Sequence, residues 1–255
     1  MDSTVTSEYR TYLVAISFAL AFIGSFIALM ITRRIRQKNG SVNWSAALTS
    51  GVALGGIGVW AMHFMGMVAL NLNVASSYGI VETAVSLVAA IACTSVALII
   101  VSKRPQDLIR MLGGGLLLGL GVVGMHYLGM FGMKFGGYIV WDFKIVATSI
   151  LIAVVAATAA LWLAFNTRQL VPRIFAALVM AVAVCAMHYT GMSAAQFVCT
   201  TSNRLAAVQG SQLVSSIGLS SMVAYGAFAM ATLIALDLCM QWMQRSVYGK
   251  DIQTA

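Results

Sequence analysis

All three histidines of this 255-residue chain stand in copies of one hexapeptide: Met62-His63-Phe64-Met65-Gly66-Met67, Met125-His126-Tyr127-Leu128-Gly129-Met130 and Met187-His188-Tyr189-Thr190-Gly191-Met192. Each reads Met-His-aromatic-x-Gly-Met, and successive histidines are 63 and then 62 residues apart. So constant an interval marks an internal repeat. On a helix, positions i and i+4 share a face. His63 therefore stacks with Met67, His126 with Met130 and His188 with Met192. Met62, Met125 and Met187 lie about 100° round the helix and rank second as ligands. Imidazole suits copper, zinc, iron or nickel, and thioether selects soft Cu(I). With no carboxylate in the motif, calcium and magnesium, which want oxygen, are disfavoured. The set points to copper, with zinc as the alternative ion.

The elements that position these residues must cross a bilayer. The chain is 60% hydrophobic and 9% charged, with a mean hydropathy of +0.92. A soluble domain carries about 25% charged residues. A spanning helix needs about 20 mostly apolar residues, and seven segments qualify: roughly 11–31, 47–67, 80–101, 109–130, 145–165, 174–193 and 214–243. All seven are predicted to be helices, because an open sheet edge cannot be satisfied in lipid. The first has neither a basic stretch before it nor a cleavage site after it, and reads as a true span. The expected fold class is an all-α integral membrane protein.

Basic residues orient it. Arg33, Arg34, Arg36 and Lys38, then Lys103, Arg104 and Arg110, then Arg168 and Arg173, then Arg245 and Lys250 follow the odd-numbered segments. Arg10, Lys134, Lys144 and Arg204 follow the N-terminus and the even ones, so the count is 11 against 4. The positive-inside bias puts the N-terminus outside and the C-terminus in the cytoplasm. The formal charge of +8 is thus spread over loop ends and is no nucleic-acid patch. Trp44, Trp141 and Trp242 fall near predicted helix ends, as interfacial anchors do.

The motifs then close segments two, four and six, at one depth near the outer face. Each repeat is two helices long, so the three copies run parallel and fit a pseudo-threefold arrangement about the membrane normal, with the seventh helix as an extra element. Small residues five positions before each histidine (Gly58, Gly121, Ala183) and two before (Ala61, Gly124, Ala186) favour close helix approach. Gly66, Gly129 and Gly191 are read as loosening the helix end to admit a ligand to the backbone. Methionine is ordinarily packing, but eight of the 16 methionines fall within 62–67, 125–133 and 187–192. Tyr127 and Tyr189 are candidates for interfacial anchors or for hydrogen bonds behind the ligands, and Glu82 for the acceptor of a ligating histidine's second N–H. Cys185 lies one turn before His188, where Trp60 and Val123 stand in the other copies, and reads as packing.

The repeated Met-His-Tyr-x-Gly-Met pattern resembles the MHYT domain, a bacterial sensory membrane module. Met187-His188-Tyr189-Thr190 is the family's namesake tetrapeptide; the second copy departs at Leu128 and the first at Phe64 and Met65. The resemblance covers nearly the whole chain. It implies copper held by motif Met and His residues near the outer face, sensing of a diatomic gas (oxygen, carbon monoxide or nitric oxide) or of redox state, and signalling to a cytoplasmic cyclic-di-GMP output domain or protein from the bacterial inner membrane. Homodimerisation is an expectation drawn from such output domains. Residues 1–243 are read as the sensor domain and 244–255 as a cytoplasmic tail or the start of a linker. The chain itself is not expected to be an enzyme. Four readings from other classes compete. A metal transporter needs a path that the inner halves of these helices do not offer. A metal-dependent membrane enzyme has only Glu82, Tyr127 and Tyr189 for acid–base work. A haem protein would use two axial histidines. A structural scaffold would carry no metal.

Overall fold

The two prolines and the helix-capping Asn and Asp side chains punctuate the apolar runs. In the computed structural model, Asn43, Asp107 and Asp142 each accept backbone N–H groups at a helix start, satisfying donors that the first turn leaves unpaired. Pro105 stands just past a helix ending at Lys103, and Pro172 lies in the first turn of the helix Leu170–Ser193, where a missing N–H costs nothing. The structure describes residues 3–5, 7–37, 39–167, 169–201, 203–204 and 208–251, with Ser3, Thr4, Gln241, Trp242 and 244–251 as backbone only. Lys38 and Arg168, and the side chains of Trp242, Arg245 and Lys250, lie outside the described set.

Among the described residues seven helices are long and apolar enough to span a membrane: α1 (Thr11–Ile31, extended by a 3-10 turn Thr32–Arg34), α2 (Trp44–Ala69), α3 (Ile80–Lys103), α4 (Leu108–Phe131), α5 (Phe143–Asn166), α6 (Leu170–Ser193) and α7 (Ser216–Asp251). They match the seven expected segments. Consecutive helices from α1 to α6 pack side by side, and α6 closes the ring on α1. The seventh helix stands outside the ring against α2, so α2 is the most enclosed span.

One helix departs from the regular α geometry expected. The second span is α-helical over Trp44–Gly51, π-helical over Val52–Ala61 and α-helical again over Met62–Ala69. A π-helix seldom exceeds one turn and is frequent at functional sites; here ten residues lead directly into a motif. The segment is rich in glycine because its neighbours press on it. A Cβ on Gly55 would meet the Ala90 carbonyl of α3, and Gly58 faces Gly24 of α1. Gly121 likewise faces Cys93, whereas a Cβ on Gly124 would meet nothing within 4 Å. The small residue two before the histidine is therefore not a packing requirement in the second copy.

Among the described residues eight short strands, none foreseen from hydropathy, cap the histidine end of the bundle. They are β1 (Ser3–Thr4), β2 (Glu8–Tyr9), β3 (Leu70–Asn71), β4 (Ser76–Gly79), β5 (Met133–Phe135), β6 (Gly137–Trp141), β7 (Ala195–Cys199) and β8 (Leu213–Ser215). They pair antiparallel as β1-β7-β6, β2-β3 and β5-β4-β8. Strands of two to five residues give no span-length signal. Their pairing uses backbone groups from the loops after α2, α4 and α6, which tertiary structure alone brings together.

Candidate metal centre

Parallel repeats bring the three imidazoles onto one axis. His63 Nδ1 lies 3.1 Å from His188 Nδ1 and 3.1 Å from His126 Nδ1, and the third side of the triangle is 3.3 Å. The rings stand nearly perpendicular to one another, at 73°, 84° and 86°. All three residues are fully buried, at 0–1% exposure. Among the described residues this is the one cluster of three or more histidine, cysteine or acidic side chains placed to hold a metal.

The triangle cannot satisfy itself. In a neutral imidazole each ring nitrogen either donates or accepts. Three mutually adjacent Nδ1 atoms must include two of the same kind, so one side always sets lone pair against lone pair or N–H against N–H. A cation among them removes the conflict, because all three nitrogens then present lone pairs inward. The size also fits. The corners of a triangle about 3.2 Å on a side lie about 1.8 Å from its centre (side over √3), close to the metal–imidazole distance of about 2.0–2.1 Å. A porphyrin, which needs two imidazoles on opposite faces of a wide ring, has no room between nitrogens this close.

The motif glycines seat the rings. A Cβ on Gly66 would overlap His188 Nε2, one on Gly129 would overlap His63 Nε2, and one on Gly191 would overlap His126 Nε2. Each imidazole therefore lies on the glycine of the following repeat, in cyclic order. This differs from the expected loosening of the helix end: the glycine is a seat that any side chain would fill. The three Nε2 atoms are buried without a hydrogen bond among the described residues.

Aromatic residues brace the rings from the other side. Phe64, Tyr127 and Tyr189 each pack edge-on against the preceding histidine at 4.7–4.8 Å between centroids. The Tyr127 hydroxyl bonds Ser149 on α5 (2.7 Å), and that of Tyr189 bonds Ser17 on α1 (2.9 Å). Phe64 lacks the hydroxyl, and Trp60 takes its place, its indole N–H donating to Thr83 O (3.0 Å) and Ser86 Oγ (3.2 Å). Sequence reasoning missed these serines, although Ser86 and Ser149 lie one repeat period of 63 residues apart. Because Ser17 also donates to Val14 O at 2.7 Å, Tyr189→Phe leaves no orphaned hydroxyl. It is expected to cost about 1 kcal/mol of stability in a denaturation titration, with bound metal unchanged.

The remaining predicted residues are buried or paired elsewhere. Met67, Met130 and Met192 lie one turn beyond the histidines, toward the strands, and all are buried. Met67 lines a recess with Arg10 and Tyr78, and Met130 lines a cavity of about 670 Å³ with Tyr127, Tyr138 and Trp141. Met62, Met125 and Met187 are buried too; Met62 packs in a small group with Ala21, Ala181 and Cys185. Glu82 pairs with Lys134 at 3.8 Å and stands outside the histidine cluster, as does Cys185.

A model of the MHYT family, described as a bacterial signalling protein N-terminal repeat, matches residues 56–114 and 119–177. The third copy, with His188, lies beyond both stretches, yet its ring completes the triangle. The chain is 39% identical over 198 residues to the bifunctional diguanylate cyclase/cyclic di-GMP phosphodiesterase MucR of Pseudomonas aeruginosa, which is 75% of this chain and 28% of that protein. It is 30% identical to the signaling protein YkoW of Bacillus subtilis, over 74% of this chain and 24% of that one. It is also 30% identical to the cyclic di-GMP phosphodiesterase NbdA of Pseudomonas aeruginosa, over 73% and 24%. The chain thus matches about a quarter of the length of these relatives. No solved structure matches it.

Proposed function

The chain belongs to the MHYT family of bacterial signalling proteins, and from that we propose that it is a membrane sensor holding one copper ion among Nδ1 of His63, His126 and His188. The observation that carries this reading is the nitrogen triangle, whose size and unsatisfiable hydrogen bonding both call for a small cation. Among the described residues no acidic side chain joins the cluster, so the bound charge is not neutralised by its ligands. The cost of burying an ion grows with the square of its charge, and even one unpaired buried charge is expensive. Three neutral donors in an apolar interior therefore favour monovalent Cu(I) over Zn(II). The soft thioethers of Met67, Met130 and Met192, with Met62, Met125 and Met187 behind them, favour the same ion.

Copper supplies an electron-rich centre that binds diatomic gases and changes oxidation state, so oxygen, carbon monoxide, nitric oxide or redox poise is the proposed signal. The residues of the chain exclude water, fix the three rings on Gly66, Gly129 and Gly191, and brace them through Phe64, Tyr127 and Tyr189. We place the histidines near the outer face of the bacterial inner membrane, with the N-terminus outside, on the excess of arginine and lysine at the opposite end. Residues 1–243 are the sensor and 244–255 lead toward the cytoplasm. By analogy with the names of the relatives, the output is a cyclic-di-GMP enzyme domain or protein there.

The test is elemental analysis of protein purified in detergent. About one copper per chain is expected, with a spectral change on adding carbon monoxide. Zinc in place of copper after growth with both metals would overturn the assignment of the ion. No metal after anaerobic Cu(I) reconstitution would overturn the sensor reading itself.

A further inference from the structure

The pseudo-threefold symmetry is broken at one repeat, and the break faces α7. Tyr127 and Tyr189 tie their histidines to α5 and α1. In the first repeat Phe64 makes no such bond. Its ring packs 5.2 Å from Trp60, and Trp60 bonds α3 at Thr83 and Ser86. The other edge of the indole reaches α7: a Cβ on Gly226 would stand 3.7 Å from its six-membered ring. The corresponding residues of the other repeats, Val123 and Cys185, have no such reach. A continuous packed line thus runs from His63 through Phe64 and Trp60 to Gly226, and Trp60 and Phe64 are 2% and 0% exposed.

To either side of Trp60 the same stripe of α7 stays on α2. Leu219, Val223, Met230 and Ile234 are its buried residues, at helical spacing with Gly226 and Asp237. Met230 presses on Gly56 in the π-helical segment. The Asp237 carboxylate accepts from Ser45 (2.7 Å) and Thr49 (3.0 Å). The seventh helix therefore reads one repeat, through the helix with the least regular backbone.

We propose that Trp60 is the positioning residue that couples the histidine triad to α7, making the first repeat the output repeat of the sensor. A ligand shifts an equilibrium only through contacts that differ between two states. The Nδ1 edge of His63 faces the triangle that would hold the metal, and its ring packs against Phe64, so a metal-dependent reorientation of that ring would move the indole wedged between α3 and α7. This inference rests on the sensor reading above, and its test separates the two.

The native Cys239 is exposed on α7, while Cys185 and Cys199 are buried and Cys93 is half-buried. A nitroxide on Cys239, in a Cys93→Ser background, reports α7 by its electron paramagnetic resonance line shape, and Cu(I) is diamagnetic and does not broaden it. In the otherwise native chain, Cu(I) is expected to change the line shape at one equivalent. In Trp60→Leu, and in Gly226→Leu, which attacks the same contact from α7, Cu(I) uptake should stay near one per chain while the change falls at least severalfold. Trp141→Phe, which touches Tyr127 at the far side of the triad, should keep the full change. A full change in either Leu variant would overturn the coupling. So would Cu(I) uptake by the native chain with no change at Cys239, leaving the metal site standing. No Cu(I) uptake at all would overturn both readings.

Discussion

His126→Ala is expected to lose bound metal by more than about a hundredfold in affinity. Removing a partner one shell behind a metal ligand costs about 10–100-fold, and this substitution removes a ligand. Two imidazoles would remain, facing a cavity the size of the third. The triangle has sides of 3.1, 3.1 and 3.3 Å, so His63→Ala and His188→Ala should behave alike, since each nitrogen is equally central. Equilibrium competition against a Cu(I) chelator measures the loss. Unchanged metal content in His126→Ala would exclude a site shared by all three histidines. The fold should survive, because none of the three rings bonds anything outside the triad among the described residues. Relief of the forced like-pair contact partly offsets the cavity.

Gly191→Ala, which leaves every proposed ligand in place, should also empty the site. The added methyl would occupy the position of His126 Nε2, and that ring sits in a fully buried cluster. Overpacking of this kind ordinarily costs about 1–3 kcal/mol. Here it falls on a ligand from another repeat, so most of it should appear as lost affinity, on the order of 10–100-fold. The same holds for Gly66→Ala through His188 and Gly129→Ala through His63. A glycine lost from one repeat thus disables the histidine of the preceding one. A control is Gly124→Ala, where a Cβ meets nothing within 4 Å, and metal content should not change. Equal affinity in Gly191→Ala and the native chain would mean that the rings are free to re-seat.

Much of the bundle was legible in the order of residues. Spans of about 20 apolar residues are set by bilayer thickness, so α1 to α6 and the start of α7 could be drawn from hydropathy to within a few residues, whereas α7 runs on past its expected end at 243 to Asp251. The motif placement followed from counting helices, since repeats two helices long must enter the membrane in the same sense. Convergence of His63, His126 and His188 was foreseeable on that ground. Glu82 could not be placed the same way. Its proximity to the triad depended on which way a helix start faces, and Lys134 pairs with it instead.

The sequence by itself determined that this is a membrane bundle of seven helices with three equivalent histidines at one depth, because composition, span length and repeat period are properties of the linear chain. Only the tertiary structure decided that the three Nδ1 atoms meet, that each ring lies on the next repeat's glycine, and that Trp60 stands in for the hydroxyl Phe64 lacks. The π-helical stretch Val52–Ala61 belongs to the same class. Its residues carry no local preference for that geometry, and it arises where α1, α3 and α7 all press on one glycine-rich helix. Such features depend on contacts between residues on different helices, 23 positions apart at the least for Trp60 and Thr83 and 125 for His63 and His188, and no local pattern encodes which neighbour a side chain will find across a closed ring of helices.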